Sequence, residues 1–232
     1  MRQSEPNEYF PFLTNEMVEE QARTDFLKYQ RATGRELTFP IYPDEILQGL
    51  WGVTVEYLDE VFSSDNEEVL ACFIPEKQVV YLNNSMRGLE GRVSFSLAHE
   101  AGHVSLHSFL AKVGYKEALC RGKLSVGDKE KMIERQADRY ASALLMPKNV
   151  LLVKLGQLEH TPTGVFDLTI YGKKLSDFFG VSHQALERRL ADLGISSIGG
   201  YYGVKTKKVS EKFFEDMEAE RTTWSAHKKG RV

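Results

Sequence analysis

The chain has 232 residues, 42% of them hydrophobic and 27% charged, with a formal net charge of −3. That is the composition of a globular protein with enough apolar material for a substantial core. The near-neutral balance gives no global pull towards nucleic acid or a membrane surface, and no apolar run approaches the ~18 residues of a membrane span.

The opening stretch, MRQSEPNEYFPFLTNEMVEEQ, lacks the apolar segment of a secretory signal, so a cytoplasmic location is expected. Thr14 or Asn15 can cap a helix that runs to Thr33 and stops at Gly34. A short helix is predicted from Pro43, ended by Gly52, and VTVEYL after it has strand character. EVLACFIPEKQVVYLN holds two strand-like runs around Pro75-Glu76-Lys77 and predicts a hairpin. A long helix follows over 89–109, then a poorly periodic loop over 111–128, then a second long helix over 129–145 ended by Met146-Pro147. A short helix follows Pro147.

LTIYGKKLSDFFGVSHQALERRLADLG, from Leu168, has the rhythm helix, turn, helix. Leu175, Phe178 and Phe179 would pack the first helix, Gly180 would make the turn and Ser182 would cap the second, packed through Ala185, Leu186 and Leu190. The tail after Gly199 is expected to be helical in part and to end in a basic segment. The predicted organisation is an N-terminal helix over 1–35, a core over 36–160, a helical helix-turn-helix-like part over 161–200, and a C-terminal helix with basic tail over 201–232. The fold class is α+β, with a small, mostly antiparallel sheet packed on a helical core. The two cysteines, Cys72 and Cys120, form no Cys-x-x-Cys pair and suggest neither a disulfide framework nor a four-cysteine zinc site.

The chemistry concentrates in SFSLAHEAGHVSLH, which contains His-Glu-x-x-His as His99, Glu100 and His103. On a helix, residues four apart lie about one turn apart on the same face, so both imidazoles can reach one ion. Glu100 is rotated off that face, where a carboxylate can serve a water molecule as general base without ligating the ion. The helix is apolar on two sides, so it is expected to be buried, and two buried histidines without partners are costly. A shared zinc ion, one per chain, removes that cost, and a hydrolytic zinc site takes three protein ligands with a fourth position left open.

The second long helix offers the third ligand. Glu134 and Asp138 sit on a stripe with Ala137, Ala141, Leu144 and Leu145, so two acids occupy an otherwise apolar face. Glu134 as ligand and Asp138 as acceptor for a histidine N–H account for both. His107 lies about 12 Å along the helix from His99, too far for the same ion, and reads as a core or rim histidine. Cys120 reads as an incidental thiol rather than a ligand. Tyr115, His160 and His183 are candidate donors to a tetrahedral oxyanion.

FSLAHEAGHVSLH, followed some thirty residues later by ERQADRYASALLMP, resembles the ImmA/IrrE family of metallo-endopeptidases. CFIPEKQVVYLN and PDEILQGLWGVTVEY are similar to that family's lead-in to the active-site helix, and the glutamate with an aspartate four residues later resembles the gluzincin pattern. The resemblance implies a zincin-like core and a cytoplasmic zinc protease that cuts a helix-turn-helix repressor and so relieves repression of stress or mobile-element genes. It assigns the metal to His99, His103 and Glu134 and the base role to Glu100. The alternative is a DNA-binding regulator that uses 175–193, with a structural or vestigial metal site. The exposed face of that segment, His183, Gln184, Glu187 and Arg188, is mixed in charge, whereas phosphate binding favours an excess of Lys and Arg. Direct DNA binding is therefore not expected, nor is a membrane partner.

Overall fold

The computed structural model describes residues 13–34, 38–59, 69–108, 120–121, 128–158, 166–198 and 201–204. Helix α1 spans Asn15–Thr33. Thr14 caps it by accepting from the Met17 N–H, and Gly34 ends it at φ 64°. Helix α2 spans Pro43–Trp51, with proline in its first turn and Gly52 at φ 66° closing it. Both ends follow from local chemistry: a side-chain oxygen satisfies an orphan N–H at the start, and glycine adopts the left-handed conformation that a Cβ disfavours at the stop.

Strands β1 (Thr54–Leu58), β2 (Ala71–Ile74) and β3 (Val79–Asn83) lead into helix α3 (Glu90–Gly102). The predicted β2–β3 hairpin is antiparallel, with Ala71 opposite Leu82 and Ile74 opposite Val79. β1 runs parallel to β3, Val55 beside Val80. Strand β4, Cys120–Arg121, adds antiparallel to the far side of β2, which gives the order β1-β3-β2-β4. β4 falls inside the stretch expected to be a loop. Cys72, fully buried on β2, stands in register with Cys120 and is disulfide-bonded, contrary to the expectation from the cysteine spacing. That spacing does not reveal the β2–β4 pairing.

Helix α4 covers Asp128–Leu145 and helix α5 Lys148–Gly156. Helices α6 (Leu168–Phe179) and α7 (His183–Asp192) form the predicted helix-turn-helix. Its glycine is required twice over: Gly180 has φ +65°, and a Cβ there would come within 2.6 Å of Pro40. Ser182 caps α7 through the Ala185 N–H. Strands β5 (Phe166–Asp167), β6 (Ile195–Ile198) and β7 (Tyr201–Val204) make a second, antiparallel sheet of order β5-β7-β6 that the sequence reading did not contain. The segment expected to be helical in the tail lies outside the described residues.

One apolar cluster joins these parts. It includes Val18 and Ala22 of α1, Leu47 of α2, Phe73 and Leu82 of the sheet, Ala98 and Ala101 of α3, Leu144 of α4, and Leu175, Phe179, Leu186 and Leu190 of the helix-turn-helix. The helix-turn-helix is thus packed into the common core. Arg189 of α7 is fully buried; its guanidinium pairs with Glu19 of α1 and donates to the Met146 carbonyl at 3.1 Å. A second buried charge, Asp25 of α1, accepts from Ser105 at 2.5 Å, Tyr140 at 3.1 Å and Gln21 at 3.0 Å, so its carboxylate ties α1 to the segment after α3 and to α4. Burial, then the Asp25 charge, pushes the Tyr140 hydroxyl well above its ordinary pKa. Among the described residues, no helix is long and apolar enough to cross a membrane.

Candidate metal centre

α3 is the buried central helix its sequence predicts: Ser96 to Gly102 are all buried. Its α-helical winding stops at Gly102, and His103–His107 continues as a π turn where an uninterrupted helix was expected. Such turns are uncommon and concentrate at functional positions. The preceding residue, Gly102, lies against α4, where a Cβ would meet Ala137 Cα at 3.1 Å. This close approach sets the faces that carry His99 and His103, and Glu134, opposite each other.

His99, His103 and Glu134 converge there, with one ligand atom from each lying within 4.8 Å of the others. His99 Nε2 and His103 Nε2 are 3.0 Å apart. Glu134 presents one oxygen to each, Oε2 to His99 at 3.2 Å and Oε1 to His103 at 3.3 Å. The imidazoles are buried to within 1% of full burial, while the Glu134 side chain is 32% exposed, so the cluster faces solvent on the carboxylate side.

Hydrogen-bond partners set the tautomers. His99 Nδ1 lies 2.8 Å from Asp138 Oδ1. A carboxylate accepts only, so Nδ1 carries the hydrogen, and in the neutral ring Nε2 is then the lone pair. His103 Nδ1 faces His107 Nδ1 at 3.1 Å, and His107 Nε2 faces Gln136 Oε1 at 2.9 Å. The Gln136 oxygen also accepts only, so the hydrogen is on His107 Nε2, His107 Nδ1 accepts from His103, and His103 Nε2 is likewise bare. In these neutral tautomers two imidazole lone pairs and a carboxylate converge on one point. That donor set fits a divalent cation, and two imidazoles with one carboxylate suit zinc.

The electrostatics favour the ligand forms. Burial, above all, pushes the His103 imidazole below its ordinary pKa, towards the neutral form that ligates. Burial alone would raise Glu134, but the facing imidazoles of His103 and His99 outweigh it and hold the carboxyl well below the usual range.

Glu100 is fully buried, and its Oε2 accepts from the Phe73 N–H of β2 at 3.0 Å. It stands outside the converging group, as does Asp138. His107 is buried and also stands outside that group. His183, the first residue of α7, is half exposed and faces Glu187 one turn on at 3.7 Å. Tyr115 and His160 lie outside the described residues. Sequence reasoning missed Gln136, the Phe73 N–H and the contact of His107 with His103. The one available signal was His107 repeating at His103+4 the spacing of His99 and His103.

The Peptidase M78 family model, described as the IrrE N-terminal-like domain, matches residues 51–191. No curated protein matches the chain. Among solved structures, a Mycobacterium tuberculosis transcriptional regulator is similar at a TM-score of 0.50 and 16% identity, over 76% of this chain and 48% of that one. This chain therefore spans about half the length of that regulator, and the likeness is one of fold.

Proposed function

The chain belongs to the IrrE N-terminal-like domain family of peptidases, whose model covers more than half of it, and from that membership and the site geometry we infer that it is a zinc-dependent endopeptidase. The observation that carries the reading is the convergence of His99 Nε2, His103 Nε2 and the Glu134 carboxylate within reach of one ion. His99, His103 and Glu134 would hold the metal, which when bound supplies a Lewis acid to polarise the scissile carbonyl and lower the pKa of a water. Glu100, next to His99 and steadied by the Phe73 N–H, takes a proton from the attacking water as it adds to the carbonyl carbon. It returns that proton to the amine nitrogen as the C–N bond breaks. Asp138 holds His99 in its ligating tautomer through the Nδ1–H bond.

The substrate we propose is a helix-turn-helix repressor, whose cleavage would relieve repression of stress or mobile-element genes in the cytoplasm; the resemblance to ImmA/IrrE proteases supports this. The α6–α7 pair, packed on the core through Leu175, Phe179, Leu186 and Leu190, is read as a subdomain that helps to seat the protein substrate. The test is incubation of purified protein with the regulator encoded beside its gene. Cleavage that disappears with a chelator and returns with zinc supports the reading. An intact regulator, with a gel shift of operator DNA by this chain alone, would favour the DNA-binding alternative.

A further inference from the structure

We propose that His107 is the positioning residue for His103: it accepts the His103 Nδ1–H and so keeps Nε2 bare and aimed at the metal. This rests on the reading of His99, His103 and Glu134 as ligands. The bond has a direction because its far end is fixed. Gln136 Oε1 takes the hydrogen of His107 Nε2 at 2.9 Å, which leaves His107 Nδ1 as an acceptor for His103 at 3.1 Å. The reverse direction would put a hydrogen on His103 Nε2 and close the ligand position.

The two ligand histidines are thus backed in different ways. His99 is backed by a carboxylate, Asp138, whose side chain is 52% exposed and so keeps its charge hydrated. His103 is backed by an imidazole and an amide that are both buried. A carboxylate at 107 would lie in a buried position away from water, a costly place for a charge. A neutral imidazole gives an acceptor without that cost. The π turn over His103–His107 brings the two rings together, centroids 5.2 Å apart. α4 supplies all three supports on one helix: the ligand Glu134, the anchor Gln136 and the acceptor Asp138. Gln136 Nε2 has no hydrogen-bond partner among the described residues, so the bond to His107 is what its amide contributes here.

The experiment measures zinc affinity by competition with a chromophoric chelator for wild type, His107→Leu, His107→Gln and the ligand variant His103→Ala, with melting of the zinc-free proteins as the folding control. His107→Leu fills the space but cannot accept, and affinity should fall about 10–100-fold, as for other outer hydrogen-bond partners of metal ligands. His107→Gln offers an oxygen to His103 and an NH2 to Gln136, and should restore most of the loss. Wild-type affinity in His107→Leu, or equal losses in the Leu and Gln variants, would overturn the proposal in favour of packing alone. Should His107→Leu fail to fold, Gln136→Leu carries the test: it frees the His107 tautomer and should weaken zinc binding, and unchanged affinity overturns the proposal. Failure of the ligand reading is distinct, because wild type itself would then bind no zinc.

Discussion

Gly102 of α3 and Ala137 of α4 are in near backbone contact: a Cβ at 102 would stand 3.1 Å from Ala137 Cα and 3.2 Å from its carbonyl oxygen. Each residue immediately precedes a member of the site, His103 and Asp138. The close approach of the helices thus brings His103 and Asp138 into the same small region as Glu134. Gly102→Ala sets about 1 kcal/mol of helix propensity against about 1–3 kcal/mol of overpacking. The metal-free protein should lose at most about 2 kcal/mol, while zinc affinity falls because His103 moves away from Glu134. Denaturant titration beside chelator competition separates the two effects. A variant with unchanged affinity would show that this crossing does not set the site.

The ligand set predicts a graded series. His99→Ala and His103→Ala should abolish stoichiometric zinc in protein purified without chelator. Glu134→Gln should weaken it strongly, since a neutral amide is a poorer ligand than a carboxylate. Asp138→Ala should cost about 10–100-fold, as it removes a partner of His99 rather than a ligand. Elemental analysis and chelator competition read the series, and an Asp138 effect larger than that of Glu134 would reverse their assigned roles.

Acid should destabilise the zinc-free protein through its buried histidines. Burial, and then the neighbouring His103 imidazole, push His107 down to about 3, and burial lowers His103 in the same direction. The folded pKa lies below the unfolded value of about 6.5, so between the two the unfolded chain binds more protons and stability rises with pH. The contribution is complete above about 6.5 and is lost as pH falls towards 3. Melting temperature followed over this window should drop, and less steeply in His107→Gln, which has no proton to take up. An equal slope in the two proteins would contradict the assignment.

Much of this was legible because the signals are local. Thr14, Gly34, Pro43, Gly52 and Ser182 mark helix ends by the chemistry of one turn, and the His99–His103 and Glu134–Asp138 spacings each declare one helical face. What was hidden is non-local. The parallel partner of β1, the short β4 opposite β2, and the β5–β7 pairing depend on contacts that no single segment encodes. The π turn at His103 and the Gln136 contact arise where α3 meets α4, so neither helix alone reveals them.

Neighbouring arginines on α7 separate fold from recognition. Arg189 is buried and bonded to Glu19 and the Met146 carbonyl, so Arg189→Ala should cost about 3–5 kcal/mol, the range for breaking a buried ion pair. Arg188 is exposed, and Arg188→Glu should leave melting and zinc content unchanged. Loss of biological output in Arg188→Glu, with proteolysis intact, would favour the DNA-binding alternative.

The most direct test of the central claim is the proteolytic rate of zinc-loaded Glu100→Gln on the proposed repressor substrate. Glu100 is fully buried, next in sequence to His99, and stands outside the group of His99, His103 and Glu134. The account predicts wild-type zinc content, a retained fold and a rate lower by about 10²–10⁴, the usual cost of losing a general base. A zinc-replete Glu100→Gln protein that cleaves at the wild-type rate would contradict it.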